Sequence, residues 1–254
     1  MRALLEASEL TVRRGRRTVL SGVELALHAG AAVHLAGANG SGKTSLLRVL
    51  GGLAAPRAGT LRRLGAAAFV PERIQLAPAL RCSEWLAAMR ALRGLEPSDW
   101  ALAVTAAGLD PDVLGWPCGR VSKGMLQRVA LVEALQAGCP LLLLDEPFAG
   151  LDDAGRDWLG GELTARAGEG AAVLFTDHSG ANGDRLAPAA VLELHDGRCR
   201  PRAVRGGARV AVRAAHPDGR RLRRSVPAAG GDDLLRELLA DGWHIEAVTP
   251  EAGA

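Results

Sequence analysis

Gly37-Ala38-Asn39-Gly40-Ser41-Gly42-Lys43-Thr44 fits the pattern Gly-x-x-x-x-Gly-Lys-Ser/Thr, and its flanks decide what the pattern means. The apolar run 31–36 before it reads as a short strand, and 43–51 after it reads as a helix, the setting in which such a loop grips phosphate. Glycines let backbone N–H groups close around phosphate oxygens, and the helix N-terminus adds the positive end of its dipole. In that arrangement Lys43 bridges the β- and γ-phosphates, the Thr44 hydroxyl faces Mg²⁺, and Asn39, Gly40, Ser41, Gly42 and Ser45 complete the nucleotide contacts. A Gly-rich loop without a ligand is the competing reading, and the flanking strand and helix weigh against it.

The run 141–144 is four leucines leading into Asp145-Glu146-Pro147. A fully apolar strand that delivers two adjacent carboxylates calls for something positive at its end. Asp145 is placed to hold the Mg²⁺ shell and Glu146 to polarise the attacking water as general base. Taken alone, the pair also reads as a strand ending in solvated acids; next to a phosphate loop it does not.

Farther out, strands are expected over 3–12 and 18–27 around an Arg-Gly-Arg-Arg turn, a strand ends at Phe69-Val70-Pro71, and helical patterns cover 84–93 and 98–107. Ser122 is a good N-cap for a helix through Gln136. A helix over 153–167 and strands over 171–176 and 189–194 continue a β-α-β alternation, which implies a mainly parallel sheet with helices on both faces. After about residue 200 the period changes. Alternating 210–212 and 222–226 flank a His-Pro-Asp-Gly turn, an amphipathic helix covers 232–240 with Gly242 as its cap, and 243–248 is a last strand, together a small ββαβ appendage. The expected division is 1–200, with a helical insert at about 72–138, and 201–254.

Composition excludes several classes. With 48% hydrophobic and 23% charged residues the 254-residue chain reads as globular. Its start lacks a signal-peptide pattern, and no stretch approaches the ~18 uncharged apolar residues of a membrane span. The four cysteines form no Cys-x-x-Cys pair, so neither zinc nor a disulfide framework is suggested. A net charge of +3 is too small to argue for nucleic acid, but ten arginines against one acid fall between Arg198 and Ser225, leaving 21 basic and 27 acidic residues elsewhere. That segment either meets anionic lipid head groups or a partner's acidic loop, or is a solvated surface. Lysine occurs only at Lys43 and Lys123, so 29 of the 31 basic residues are arginine.

Further motifs in order make the chain resemble the ABC ATPase family over residues 1 to about 200. Val121-Ser122-Lys123-Gly124-Met125, followed by Gln127-Arg128, stands where that family has Leu-Ser-Gly-Gly-Gln. Ala149-Gly150-Leu151-Asp152 resembles its loop after the Asp-Glu pair, and Thr176-Asp177-His178 its switch histidine. The resemblance implies an α/β P-loop NTPase with a mainly parallel sheet, an N-terminal antiparallel β subdomain, a helical insert and a small α+β C-terminal appendage. It implies ATP and Mg²⁺ as cofactors and a head-to-tail dimer, homo- or heteromeric. In that dimer Ser122 and Gly124 of one subunit close over the γ-phosphate held by the other, His178 contacts that phosphate, and Asp152 passes signals across. Integral membrane permease subunits are the implied partners, with the chain cytoplasmic and peripheral on the membrane's inner face. Ser-Lys-Gly-Met resembles the signature of drug, antibiotic and polysaccharide exporters, which favours export. The other reading is a soluble ABC ATPase in a non-transport process, though a single motif set without heptads argues for transport.

Three positions depart from the family. Glu72 stands where a Mg²⁺-binding glutamine is usual, and either serves as the oxygen ligand or points to solvent with Gln75 in its place. Arg14 stands where an aromatic residue stacks on adenine; a guanidinium either does the same or is a solvated turn residue. Lys123 replaces a glycine and either adds positive charge at the partner's γ-phosphate or faces solvent at a helix start.

Overall fold

The computed structural model describes residues 2–177, 186, 188, 190–202, 209–227 and 231–251. They divide into two compact units, Met1–Arg202 and Ala203–Ala254.

In the first unit β1 (Ala3–Arg14) and β2 (Arg17–His28) pair antiparallel, and β4 (Ala58–Arg63) adds to the other side of β1. Along β1, Leu5, Ala7, Leu10 and Val12 are buried and from Glu6 on the residues between them are exposed or half-buried, the alternation of a half-buried strand. The spacing slips by one between Ala7 and Leu10, where the pairing register shifts and Glu9 takes a left-handed φ of 52°. This bulge keeps the apolar set on the core side of the sheet. Sequence periodicity does not disclose β4, whose Ala-Gly-Thr-Leu-Arg-Arg is almost wholly exposed; its pairing with β1 makes it a strand. Gly59 within it has φ 89°, and a Cβ there would collide with the backbone of Ser8 and Glu9. Gly59→Ala is therefore expected to destabilise the protein by about 2 kcal/mol or more, read as a lower thermal unfolding midpoint.

The central sheet runs β5-β6-β7-β3-β8-β9, with β5 (Ala67–Val70), β6 (Leu141–Leu144), β7 (Ala172–Phe175), β3 (Ala32–Ala36) and β8 (Ala190–His195) all parallel. β9 (Arg198–Arg202) closes the β8 edge antiparallel. Its Pro201 suits an edge, because a proline has no N–H to give a further strand. The start of the arginine-rich segment is thus an edge strand of this sheet, while its remainder belongs to the second unit.

The leucines of β6 are continuous because both faces are covered. Leu141 and Leu143 pack with the N-terminal sheet and α1 (Lys43–Leu50), whereas Leu142 and Leu144 pack with α4 (Lys123–Gln136) and α5 (Asp153–Gly168). Each fully buried leucine contributes about 1.5–3 kcal/mol. α4 is buried on all sides from Val129 to Leu135: Ala130, Leu131 and Ala134 meet the sheet, and Val129 and Val132 meet the insert, where α2 (Cys82–Leu92) and α3 (Ala101–Ala106) supply Cys82, Leu86 and Val104. A partly buried ion pair, Arg93 Nε to Glu133 Oε1 at 2.9 Å, ties the end of α2 to α4.

In the second unit β10 (Arg209–Ala215) pairs antiparallel with β11 (Arg221–Pro227) on one side and β12 (His244–Glu251) on the other. The helix Gly231–Ala240 covers one face, with Leu234 and Leu238 against Val212 and Ala214. The β10–β11 turn closes through His216 N to Arg220 O at 2.8 Å, with Asp218 held between His216 and Arg220.

Candidate nucleotide site

Three parallel strands, adjacent in the order β6-β7-β3, bring their C-terminal ends together. β3 runs into the Gly37 loop, β6 into Asp145-Glu146 and β7 into Thr176, so chemistry spread over 140 residues of sequence converges at one sheet edge.

The loop wraps tightly. Gly37 has φ 153°, and a Cβ there would lie 2.6 Å from the carbonyl oxygen of Leu194 and 2.9 Å from Ser41 Oγ; at Gly42, with φ 109°, it would lie 2.9 Å from Leu20 Cδ2. Gly42 caps α1 in the left-handed region. Ser41 Oγ is buried and finds no hydrogen-bond partner among the described residues. Lys43 is 7% exposed, and its Nζ donates to the carbonyls of Gly37 at 2.7 Å and Ala38 at 3.2 Å, folding the ammonium back over the loop. Burial pushes its pKa down, opposed by the charges of Glu146, Asp145 and Glu72. A glycine cradle, a buried hydroxyl without a partner and a caged ammonium fit a polyphosphate.

Behind the loop runs a chain of hydrogen bonds. Thr44 Oγ1 donates to Asp145 Oδ2 at 2.6 Å, Thr176 Oγ1 donates to Asp145 Oδ1 at 2.9 Å, and the Glu146 N–H donates to Thr176 Oγ1 at 2.8 Å. Asp145 is 2% exposed and Glu146 6%. Glu146 has a φ of 52°, a conformation costing about 1–3 kcal/mol that persists only where its surroundings hold it. Thr176 does the holding. It was outside the expected set, although it lies two residues before His178 and its position after a buried strand is visible in the sequence.

Among the described residues no three His, Cys, Asp or Glu side chains are grouped to hold a metal ion. The oxygens present, Thr44 Oγ1 and Asp145 Oδ2, suit a hard cation whose shell is completed by phosphate and water. Glu72 is exposed just beyond β5, near enough for its charge to act on Lys43, and Gln75 is exposed too.

A cavity of about 340 Å³ opens beside the loop, lined by Asn39, Gly40 and Ser41 together with Arg17, Val19 and Ser21 of β2 and Asp196 after β8. Arg14 is exposed at the end of β1, opposite Arg17, and does not line it. Arg17 stands at the cavity instead, and nothing in the run Arg13-Arg14-Gly15-Arg16-Arg17 distinguishes it beforehand. Ser45 is half-buried on α1.

Ser122 Oγ caps α4, accepting from Met125 N at 3.3 Å. Ser122 and Gly124 line a second cavity, about 380 Å³, with Gly108, Arg128, Gly150 and Asp152. The two cavities share no residue. Lys123 is exposed and does not line this one. Asp152 Oδ1 caps α5 through Gly155 N at 2.8 Å and accepts from Arg128 Nη2 at 2.6 Å; these hold its carboxyl below the usual range, the Gly155 bond first. His178 lies outside the described residues. No helix among the described residues is long and apolar enough to cross a membrane.

The model of the ABC transporter family matches residues 20–149. The cytochrome c biogenesis ATP-binding export protein CcmA of Novosphingobium aromaticivorans is 40% identical over 175 residues, 68% of this chain and 88% of that protein. CcmA of Bordetella parapertussis is 41% identical over 200 residues, 70% of this chain and 84% of that one. In fold the chain is similar to the ATP-binding subunit of an ABC transporter, TM-score 0.72 at 24% identity, covering 94% of this chain and 98% of that one. It is also similar to the ATP-binding cassette MJ0796 in a dimeric post-hydrolysis state with ADP and Pi, TM-score 0.69 at 23% identity, covering 80% of this chain and 99% of that one. Strand-end convergence, phosphate loop and relatives agree: the chain belongs to the ABC transporter family, as an ATP-binding and ATP-hydrolysing subunit.

Proposed function

We propose that this subunit drives export through separate integral membrane permease subunits, working as a head-to-tail dimer on the inner face of the membrane. The observation that carries the chemistry is the hydrogen-bonded series Thr44–Asp145–Thr176–Glu146 behind the Lys43 loop. Residues 37–45 hold the triphosphate of ATP, with Lys43 turning from the Gly37 and Ala38 carbonyls to the β- and γ-phosphates. Thr44 and Asp145 would hold Mg²⁺, with Glu72 as a further oxygen donor; when bound, the ion would offset charge building on the phosphates. Glu146 takes the proton of the attacking water, and His178 orients that water at the γ-phosphate. Ser122 and Gly124 of one subunit close on the nucleotide held by the other, which agrees with these two lining a cavity apart from the phosphate loop, and the exposed Lys123 beside them adds positive charge there. Export is supported by the CcmA relatives, export proteins by name. The arginines of 209–224 give the second unit a basic strand pair for anionic lipid.

Purification of the tagged chain from detergent-solubilised membranes tests this. A spanning protein that accompanies it, and ATP hydrolysis that stops on Mg²⁺ chelation and returns on Mg²⁺ addition, are the expected results. Hydrolysis indifferent to chelation, or recovery of the chain without any membrane protein, contradicts the proposal.

A further inference from the structure

Arg128 is gripped from three sides. Its Nη1 donates to the carbonyls of Ala107 at 2.7 Å and Gly108 at 3.3 Å, where α3 ends, and its Nη2 donates to Asp152 Oδ1 at 2.6 Å. The same carboxylate oxygen caps α5 through the Gly155 N–H. The arginine side chain is 13% exposed although its partner is 68% exposed. Glycines flank the guanidinium on both sides: a Cβ at Gly108 would lie 2.5 Å from Nη1 and one at Gly155 2.9 Å from Nη2. Room for this one side chain is therefore made by two separate elements, the turn after α3 and the first turn of α5.

Arg128, Gly108 and Asp152 line the same cavity as Ser122 and Gly124. With three of its five N–H donors committed to protein oxygens on separate segments, Arg128 fastens loops together. A planar fork suits that task, since it reaches oxygens in two directions at fixed angles.

We propose that Arg128 is a positioning residue for hydrolysis across the subunit interface: it locks the Asp152 turn to the Ser122–Gly124 face, so that the surface closing on a partner's nucleotide is assembled before the partner arrives. This rests on the reading that Ser122 and Gly124 meet the partner's triphosphate. Pre-assembly lowers the ordering cost of closing the dimer, and hence the barrier to turnover, without touching the nucleotide that each subunit already holds.

The test compares the full-length chain with Arg128→Ala, Arg128→Lys, Asp152→Asn and the double variant Arg128→Ala/Asp152→Asn, reading ATP affinity, kcat and KM. Arg128→Ala lowers kcat about tenfold, the scale of one lost charge-assisted contact. ATP affinity stays within about twofold, because the Lys43 loop lies in the other cavity. Asp152→Asn keeps a capping side chain but no charge, and loses a similar factor. The double variant loses no more than either single one, and lysine restores only part. Unchanged kcat in Arg128→Ala, affinity falling in step with kcat, additive losses, or full recovery by lysine each overturn the proposal. Should Arg128→Ala fail to fold by circular dichroism, Asp152→Asn alone decides, its turnover falling if the proposal holds and staying at wild type if it does not. Failure of the underlying functional reading is separately recognisable, as hydrolysis that Glu146→Gln leaves intact, and removes this proposal with it.

Discussion

Glu146→Gln is expected to lower ATP hydrolysis by about 10²–10⁴-fold, the range a positioned general base supplies, while ATP still binds. Glutamine matches the shape of glutamate and keeps the backbone N–H that donates to Thr176, so the strained φ of 52° and the loop geometry survive. What disappears is a group able to accept the proton of the attacking water. Single-turnover hydrolysis measured beside equilibrium nucleotide binding checks this. Affinity within about threefold of wild type with turnover nearly gone is the expected pair, and turnover near wild type assigns the base elsewhere.

Lys43→Ala has the other large effect, at binding. Charge-assisted hydrogen bonds contribute about 1.5–3 kcal/mol each, so loss of this ammonium weakens ATP about 10–100-fold and takes hydrolysis with it. Each protein is compared with its own ligand-free form, so any change in baseline stability from the lost Gly37 and Ala38 hydrogen bonds drops out. Thermal unfolding therefore discriminates. Wild type gains about 2.7 kcal/mol of stability at ATP a hundredfold above its Kd, and the variant gains about 0.4–1.4 kcal/mol at the same concentration. Lys43→Arg does not rescue, since a branched guanidinium has no space where the ammonium is 7% exposed. An undiminished ATP-induced stabilisation in Lys43→Ala contradicts the role given to this residue.

Much of the site is legible in sequence because its parts are local. The phosphate loop needs glycines in consecutive turns followed by a helix, and the Asp145-Glu146 pair needs a buried strand behind it. Each is one continuous segment whose composition states its job. β4 and β9 are not legible in that way. β4 carries no apolar alternation, β9 offers only Cys199 and Pro201 between arginines, and each becomes a strand because a neighbour offers an unpaired edge. Thr176 is intermediate: its place after β7 can be read, but its bonds to Asp145 and Glu146 depend on which strands are neighbours.

The cavity beside the phosphate loop shows the limit most clearly. Arg14 and Arg17 are interchangeable in a one-dimensional reading, and the register of a two-stranded turn decides that Arg17 lines the cavity and Arg14 does not. The same holds for Arg128. The sequence places it after the signature, but the paired glycines that admit its guanidinium lie 20 residues before and 27 after it. By itself the sequence determined the family, the phosphate loop, the Asp-Glu pair and the alternation of strands and helices, because backbone conformation and local chemistry set these within a few residues. Only the tertiary structure decided which edge strands form, which arginine reaches which cavity and that Thr44, Asp145, Thr176 and Glu146 are joined, because strand order and packing bring distant residues within hydrogen-bonding range.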